Sequence, residues 1–235
     1  MTLSMLGEIK DALLHLAFPH TCPGCGIDLP QQKISLCPTC LHSLPRTGFH
    51  LHAGNPVEKI FWGRIPLAGA AAHYFFSKDS VVQRLMHCFK YRSAKETGFF
   101  LGTLMGTQLA ESPRFATIDA LVPLPLFPAK EKKRGYNQAQ VLCEGIAQVL
   151  GKPILKDAVI RTTHTDSQTK KSRVERWQNM EGRFELRNEP VVRNRHVLLV
   201  DDVVTTGATL EACGRTILAA PGTSLSIATL CYSLG

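Results

Sequence analysis

The sequence predicts an α/β fold built on a parallel sheet, with a small four-cysteine metal unit ahead of it. Three observations lead there. Residues 197–200 form an apolar run of the kind that is buried on both faces in a parallel sheet, and a helix-like segment follows within ten residues. Apolar segments with strand-like and helix-like periods follow one another from residue 67 to residue 232. Two CxxC pairs stand apart near the N-terminus. With 235 residues, 44% of them hydrophobic and 20% charged, the chain can bury one good core and a small appendage.

The most informative stretch is residues 197–209, VLLVDDVVTTGAT. Its apolar run ends in two adjacent carboxylates, Asp201 and Asp202. Burying two like charges side by side is costly, which places them at the open carboxyl end of the sheet, where ligands of α/β folds bind. Val203 and Val204 lead into Thr205, Thr206, Gly207, Ala208 and Thr209, and residues 210–218 read as a helix. Small residues, hydroxyls and a glycine at a helix N-terminus make an anion cradle, because unsatisfied backbone N–H groups and the helix dipole face the ligand. A phosphate there, with two carboxylates nearby to hold sugar hydroxyls, describes a ribose 5-phosphate site. The competing reading is a buried strand, a surface turn and an ordinary cap. No lysine follows the glycine, so this is not a Walker A loop.

Along the chain, residues 1–18 have apolar positions at near-helical spacing, and Pro19 ends the segment. Glu8, Lys10 and Asp11 interrupt it, so it is expected neither to span nor to insert into a membrane, and it lacks a signal-peptide core. A cytoplasmic protein with reduced cysteines is the expectation. Cys22, Cys25, Cys37 and Cys40 form two CxxC knuckles, whose spacing suits a closed, structural zinc ribbon with Zn–S bonds of about 2.3 Å. The rival is a redox CxxC, for which one pair would suffice and a βαβ setting would be expected. His20 and His42 flank the knuckles and read as surface residues, with substitution of one as a ligand the minor alternative. Cys88, Cys143, Cys213 and Cys231 fall in apolar or helical settings, outside the ligand set.

Residues 43–56 lack periodicity and read as a linker between units 1–48 and 57–235. A strand is expected over residues 67–76, and then a helix capped by Ser77 whose inner face is Val81, Val82, Leu85, Met86 and Phe89. His87, Lys90, Tyr91 and Arg92 read as its solvated basic end. A second helix is expected over residues 94–110, with Phe99, Leu101, Leu104 and Leu109 inward. Residues 118–125 make a strand, followed by a loop with Lys130, Lys132, Lys133, Arg134, Gly135 and Tyr136. Asn137 caps a helix that Gly151 ends, so this basic loop reads as a second anion site, with a plain solvated charged face as the alternative. Residues 161–183 are polar, which in a compact domain points to function or disorder. A last strand covers residues 225–232. The net charge of +8 favours anionic partners, either phosphorylated metabolites or nucleic acid, and a merely basic surface accounts for it equally well.

Residues 197–209 closely resemble the phosphoribosyl-pyrophosphate (PRPP) signature of type I phosphoribosyltransferases. The whole set resembles the ComF family of competence-associated, phosphoribosyltransferase-like proteins. The set comprises the four-cysteine ribbon, Phe89-Lys90-Tyr91, the VPLP strand, Arg134-Gly135-Tyr136-Asn137-Gln138, and Arg161, Thr165, Gln168 and Arg173 with Asn179, Gly182 and Phe184. One departure is THTDSQTKK at residues 163–171, where the family has a shorter or proline-rich turn. The resemblance implies a type I phosphoribosyltransferase fold, a mainly parallel sheet with helices on both faces, and PRPP as ligand with Mg2+ beside the structural Zn2+. It implies that Asp201 and Asp202 hold the ribose hydroxyls, that residues 205–209 bind the 5-phosphate, and that Val203 also belongs to the PRPP site. It further implies that the loop from Leu124 to Tyr136, with Arg134, Gly135 and Tyr136, takes the pyrophosphate, and that a loop over residues 162–180 closes over the site, its Lys170, Lys171, Arg173 and Arg176 neutralising the departing pyrophosphate. Assistance to DNA uptake or to the use of imported nucleic acid is the implied role. Competence-machinery proteins are implied partners, and a homodimer is compatible. The alternative is a non-catalytic module that binds single-stranded DNA, with Trp62, Tyr74, Tyr91 and Trp177 as stacking candidates.

Overall fold

The computed structural model describes residues 20–29, 35–91, 95–162 and 183–233. The expected helix over residues 1–18, and Lys170, Lys171, Arg173 and Arg176, lie outside these. The strands are β1 (Gly69–Phe76), β2 (Ala120–Pro123), β3 (Val159–Thr162), β4 (Arg183–Leu186), β5 (His196–Val204) and β6 (Ser224–Ser233). The helices are α1 (Pro38–His42), α2 (Pro56–Phe61), α3 (Val81–Tyr91), α4 (Lys95–Ala110), α5 (Pro128–Arg134), α6 (Gln138–Leu150) and α7 (Ala208–Leu218).

β1, β6, β5 and β2 lie side by side in that order, all parallel, and β3 and β4 form a separate antiparallel pair. Alternation along β5 explains its continuous apolar run. Leu198 and Val200 join the apolar cluster of α3, α4 and α6, whereas Val197 and Leu199 join that of α2 and α7. The sheet is therefore covered by helices on both faces, as a type I phosphoribosyltransferase fold requires. Among the described residues, no helix is long and apolar enough to cross a membrane.

Several local expectations are corrected. Residues 43–56 are packed rather than a linker. The Phe75 amide donates to the Pro45 carbonyl at 2.9 Å, the Thr47 amide donates to His73 at 3.0 Å, and His50 and Asn55 are buried. Asn55 caps α2 by accepting from the Val57 and Glu58 amides and donates to the Ala70 carbonyl at 2.8 Å. The cap of α3 is Ser80, not Ser77: its Oγ accepts from the Gln83 amide at 3.1 Å, while Gln83 Oε1 accepts from the Asp79 amide at 2.7 Å. In α4, Leu101, Met105 and Leu109 are buried but Phe99 is exposed. The reason is a glycine seam that lets α4 and α6 touch backbone to backbone. A Cβ on Gly145 would stand 2.6 Å from the Thr103 nitrogen, and one on Gly102 would stand 3.0 Å from the Leu142 Cα.

Candidate sugar-phosphate site and cysteine knuckle

The strand does not end with its apolar run at the acidic pair. β5 continues through it to Val204, with Asp201 opposite Thr229 and Val203 opposite Cys231 of β6. On the other side β2 stops at Pro123, opposite Val200. The pair thus has a strand on one flank and an open edge on the other, with both side chains half-buried. Asp201 Oδ1 accepts the Asp202 amide at 2.8 Å. Burial, then the neighbouring Asp202 charge, pushes the Asp201 carboxyl well above the usual range, against the opposing pull of that amide, Lys90 and Arg161. Asp202 Oδ2 lies 2.9 Å from Lys90 Nζ, so Lys90 is not a solvated helix end.

Beyond β5, Thr205 and Thr206 are exposed, and Gly207 caps α7 in the left-handed conformation at φ 74°. Gly207 is needed twice over, since a Cβ there would also stand 2.7 Å from Ile60 and 2.8 Å from Phe61. A glycine cap carries no side-chain acceptor, and Ala208 and Thr209 open the helix behind it, so first-turn N–H groups face the turn. Arg64 holds this turn from outside. Its Nη1 donates to the Thr206 carbonyl at 2.8 Å and to Ile60 at 3.0 Å, and its Nε donates to Glu211 at 2.7 Å. Burial pushes Glu211 up, but hydrogen bonds and charge from Arg215 and Arg64 outweigh it and hold the carboxyl below its usual range.

The expected basic loop after β2 is mostly the short helix α5, with Lys130, Lys132 and Lys133 exposed along it. A Pro at its start and Gly135 at φ 81° behind it give the segment ordinary helix ends. Asn137 ties down its base, donating to the Leu124 carbonyl and accepting from the Ala139 amide, both at 3.0 Å. Arg134 is engaged with Gln138 at 2.8 Å. Tyr136 is buried, and its hydroxyl donates to the Phe89 carbonyl, so its ring is a packing element. From the β3–β4 pair, the Arg161 guanidinium lies 3.8 Å from the Phe127 ring centroid and 5.2 Å from that of Phe184. Burial lowers the Arg161 pKa, while the charge of Asp201 raises it.

The four knuckle sulfurs lie within 4.8 Å of one another, with Cys25 and Cys37 3.6 Å apart. A tetrahedron with metal–sulfur arms of about 2.3 Å has edges of about 3.8 Å, so the set fits a metal ion. Burial and then the surrounding thiols push Cys40 well up, a crowding that a divalent cation relieves. Among the described residues no other such cluster occurs, and His20 and His42 are not part of it. The knuckle is fastened to α3: Arg84 Nε donates to the Gly24 carbonyl, and a Cβ on Gly24 would meet Cys40 Sγ at 2.8 Å and Val81 at 3.1 Å.

The sequence reading missed Lys90 and Arg64 as members of the site and named Arg161 only through resemblance. Strand parity was the available signal for Lys90: Asp202 shares a face with Val200, toward α3. No local signal marks Arg64, which is 142 positions from its carbonyl partner. Of the stacking candidates, Tyr74 is buried and bonded to Gln108 at 3.2 Å, Trp62 is 63% exposed, and Trp177 and the Tyr91 side chain lie outside what is described.

The phosphoribosyl transferase domain family matches residues 137–234. The chain is 30% identical over 211 residues to Competence protein F of Haemophilus influenzae, covering 86% of each chain. It is 29% identical over 204 residues to the DNA utilization protein YhgH of Escherichia coli K12, covering 85% of each. Among solved structures, it is similar to the glutamine PRPP amidotransferase from B. subtilis complexed with ADP and GMP, at 17% identity and a TM-score of 0.43. That match covers 61% of this chain and 30% of the other and carries no weight here.

Proposed function

Because the chain belongs to the ComF family, that of Competence protein F and YhgH, we propose that it is a PRPP-binding, phosphoribosyltransferase-type protein that assists DNA uptake or the use of imported nucleic acid. One observation supports the ligand above all others. Asp201 and Asp202 stand at the open carboxyl end of a buried central strand, directly ahead of a glycine-capped helix N-terminus. Such a site offers carboxylates to the ribose hydroxyls and backbone N–H groups at residues 205–209 to the 5-phosphate. The segment of Arg134, Gly135 and Tyr136 would take the pyrophosphate through its backbone and the Arg134 guanidinium, since the Tyr136 hydroxyl is engaged. In this reading Lys170 and Arg173 neutralise the departing pyrophosphate, and the closed site keeps water from an oxocarbenium-like centre.

Mg2+ would accompany PRPP, coordinated mostly by the ligand's own oxygens, and neutralise charge on the pyrophosphate. Cys22, Cys25, Cys37 and Cys40 would hold Zn2+ as a structural ion, which suits a reducing, cytoplasmic compartment. We take residues 1–48 as the metal-bearing unit and 57–235 as the phosphoribosyltransferase-like domain. Calorimetric titration with PRPP and Mg2+ tests the ligand, and pyrophosphate release with a trial nucleobase or amine tests turnover. Absence of PRPP binding by the intact, metal-replete protein overturns the proposal.

A further inference from the structure

Adjacent residues of a strand point to opposite faces, and the acidic pair is divided by this rule. Asp201 lies on the side of Leu199, toward α7 and the β3–β4 pair, where its charge raises the pKa of Arg161 and helps keep the buried Cys213 thiol protonated. Asp202 lies on the side of Val200, toward α3. There its Oδ2 is 2.9 Å from Lys90 Nζ, with side-chain exposures of 24% for the lysine and 15% for the aspartate. Lys90 itself is held. Phe89 is fully buried with its carbonyl bonded by Tyr136, and one turn and a half earlier Arg84 is fastened to Gly24. An ammonium has three donors, and a half-buried pair of this kind must offset considerable desolvation. Such an arrangement is a poor stabiliser and a good orienting device.

We propose that Lys90 is a positioning residue of the sugar site: it holds the Asp202 carboxylate on the α3 face, apart from Asp201, so that the pair presents separate oxygens to the two ribose hydroxyls. This rests on the PRPP reading above and assigns to the α3 end a role in it. Lys90 then acts on the ligand only through Asp202.

The test is a double-mutant cycle on the full, metal-replete chain, read by calorimetric titration with PRPP and Mg2+. Lys90→Met should weaken PRPP roughly ten- to a hundredfold, the size expected for a charge-assisted hydrogen bond. Lys90→Arg should recover most of this, and Lys90→Met should add less than about twofold in an Asp202→Asn background. Circular dichroism and a urea midpoint establish that each variant folds, and Lys90→Gln replaces Lys90→Met if the latter does not. Unchanged affinity in Lys90→Met overturns the proposal while leaving the PRPP site intact. An equal loss in both backgrounds also overturns it, because Lys90 would then touch the ligand directly. Failure of the unmodified protein to bind PRPP removes both this proposal and the reading beneath it.

Discussion

Arg64 Nη1 donates to the carbonyl oxygen of Thr206 at 2.8 Å, tying the turn before α7 to the turn before β1. That carbonyl is drawn outward by the guanidinium, which leaves the N–H groups of the same turn for the inside. Arg64→Met is therefore expected to weaken binding of PRPP, and of inorganic phosphate alone. The arginine is about a third exposed, so the loss should be near 1 kcal/mol, or about fivefold in affinity by titration. An unaltered phosphate affinity would show that the turn needs no outside support.

Asp202→Asn should weaken PRPP roughly tenfold to a hundredfold without harming the fold. Asp201→Asn should leave the ligand-free protein as stable or more so at neutral pH. The folded carboxyl binds its proton more tightly than an unfolded one, so its stabilising effect fades as pH rises through the folded pKa. Calorimetric titration and thermal melts of both variants decide this, and unchanged PRPP affinity in both ends the ribose assignment.

About one equivalent of zinc should be found by elemental analysis of carefully prepared protein, and less than half would count against the knuckle. Cys22, Cys37 and Cys40 belong to the same apolar cluster as α3, α4 and α6. Chelation should therefore lower the melting temperature of the whole chain, not release a separate N-terminal unit. Zinc contributes roughly 10–16 kcal/mol in isolated finger peptides, so the shift should be large.

His73 is fully buried, and burial takes its pKa from 6.5 to about 4, against the opposing effect of its bond to Gln108. The unfolded imidazole takes its proton first, so stability is full above pH 6.5 and falls as pH drops toward 4. The linked loss is about 3 kcal/mol at pH 4. Urea midpoints should fall over this window, and His73→Gln should flatten that part of the profile.

Gly145→Ala should destabilise by about 2–3 kcal/mol, because the new methyl meets backbone of α4 that cannot step aside. Ala substitution at Gly135, where no atom lies within 4 Å, meets only the φ penalty and should be milder. Comparable urea midpoints for the two would show that the helix pair adjusts freely.

Periodicity and caps carried much of the fold into view. Asn137 and Gly151 bound α6 as their chemistry demands, and the buried run at 197–200 is the centre of the sheet. The misreadings share a cause, which is that a contact distant in sequence leaves no local trace. Gly102 and Gly145 are neutral letters until two helices meet. Lys90 is a surface-type residue until Asp202 faces it, and Phe99 loses its inward place to the glycine seam. The segment at 43–56 resembles a linker because its order comes from β1 and from Asn55, not from a repeating apolar pattern. In α5, three lysines on a two-turn helix look like loop residues when only charge is counted.

The strand order bears on how the chain is made. β6, at residues 224–233, lies between β1 and β5, and no other described strand joins those two. On a ribosome, the first strand of the sheet is synthesised some 150 residues before its neighbour. A nascent chain halted before Ser224 has β1 without its partner and Asp201 without Thr229 opposite. The candidate sugar site therefore lacks one flank until β6 has been made, and until then the apolar edges of β1 and β5 are left for a chaperone to shield.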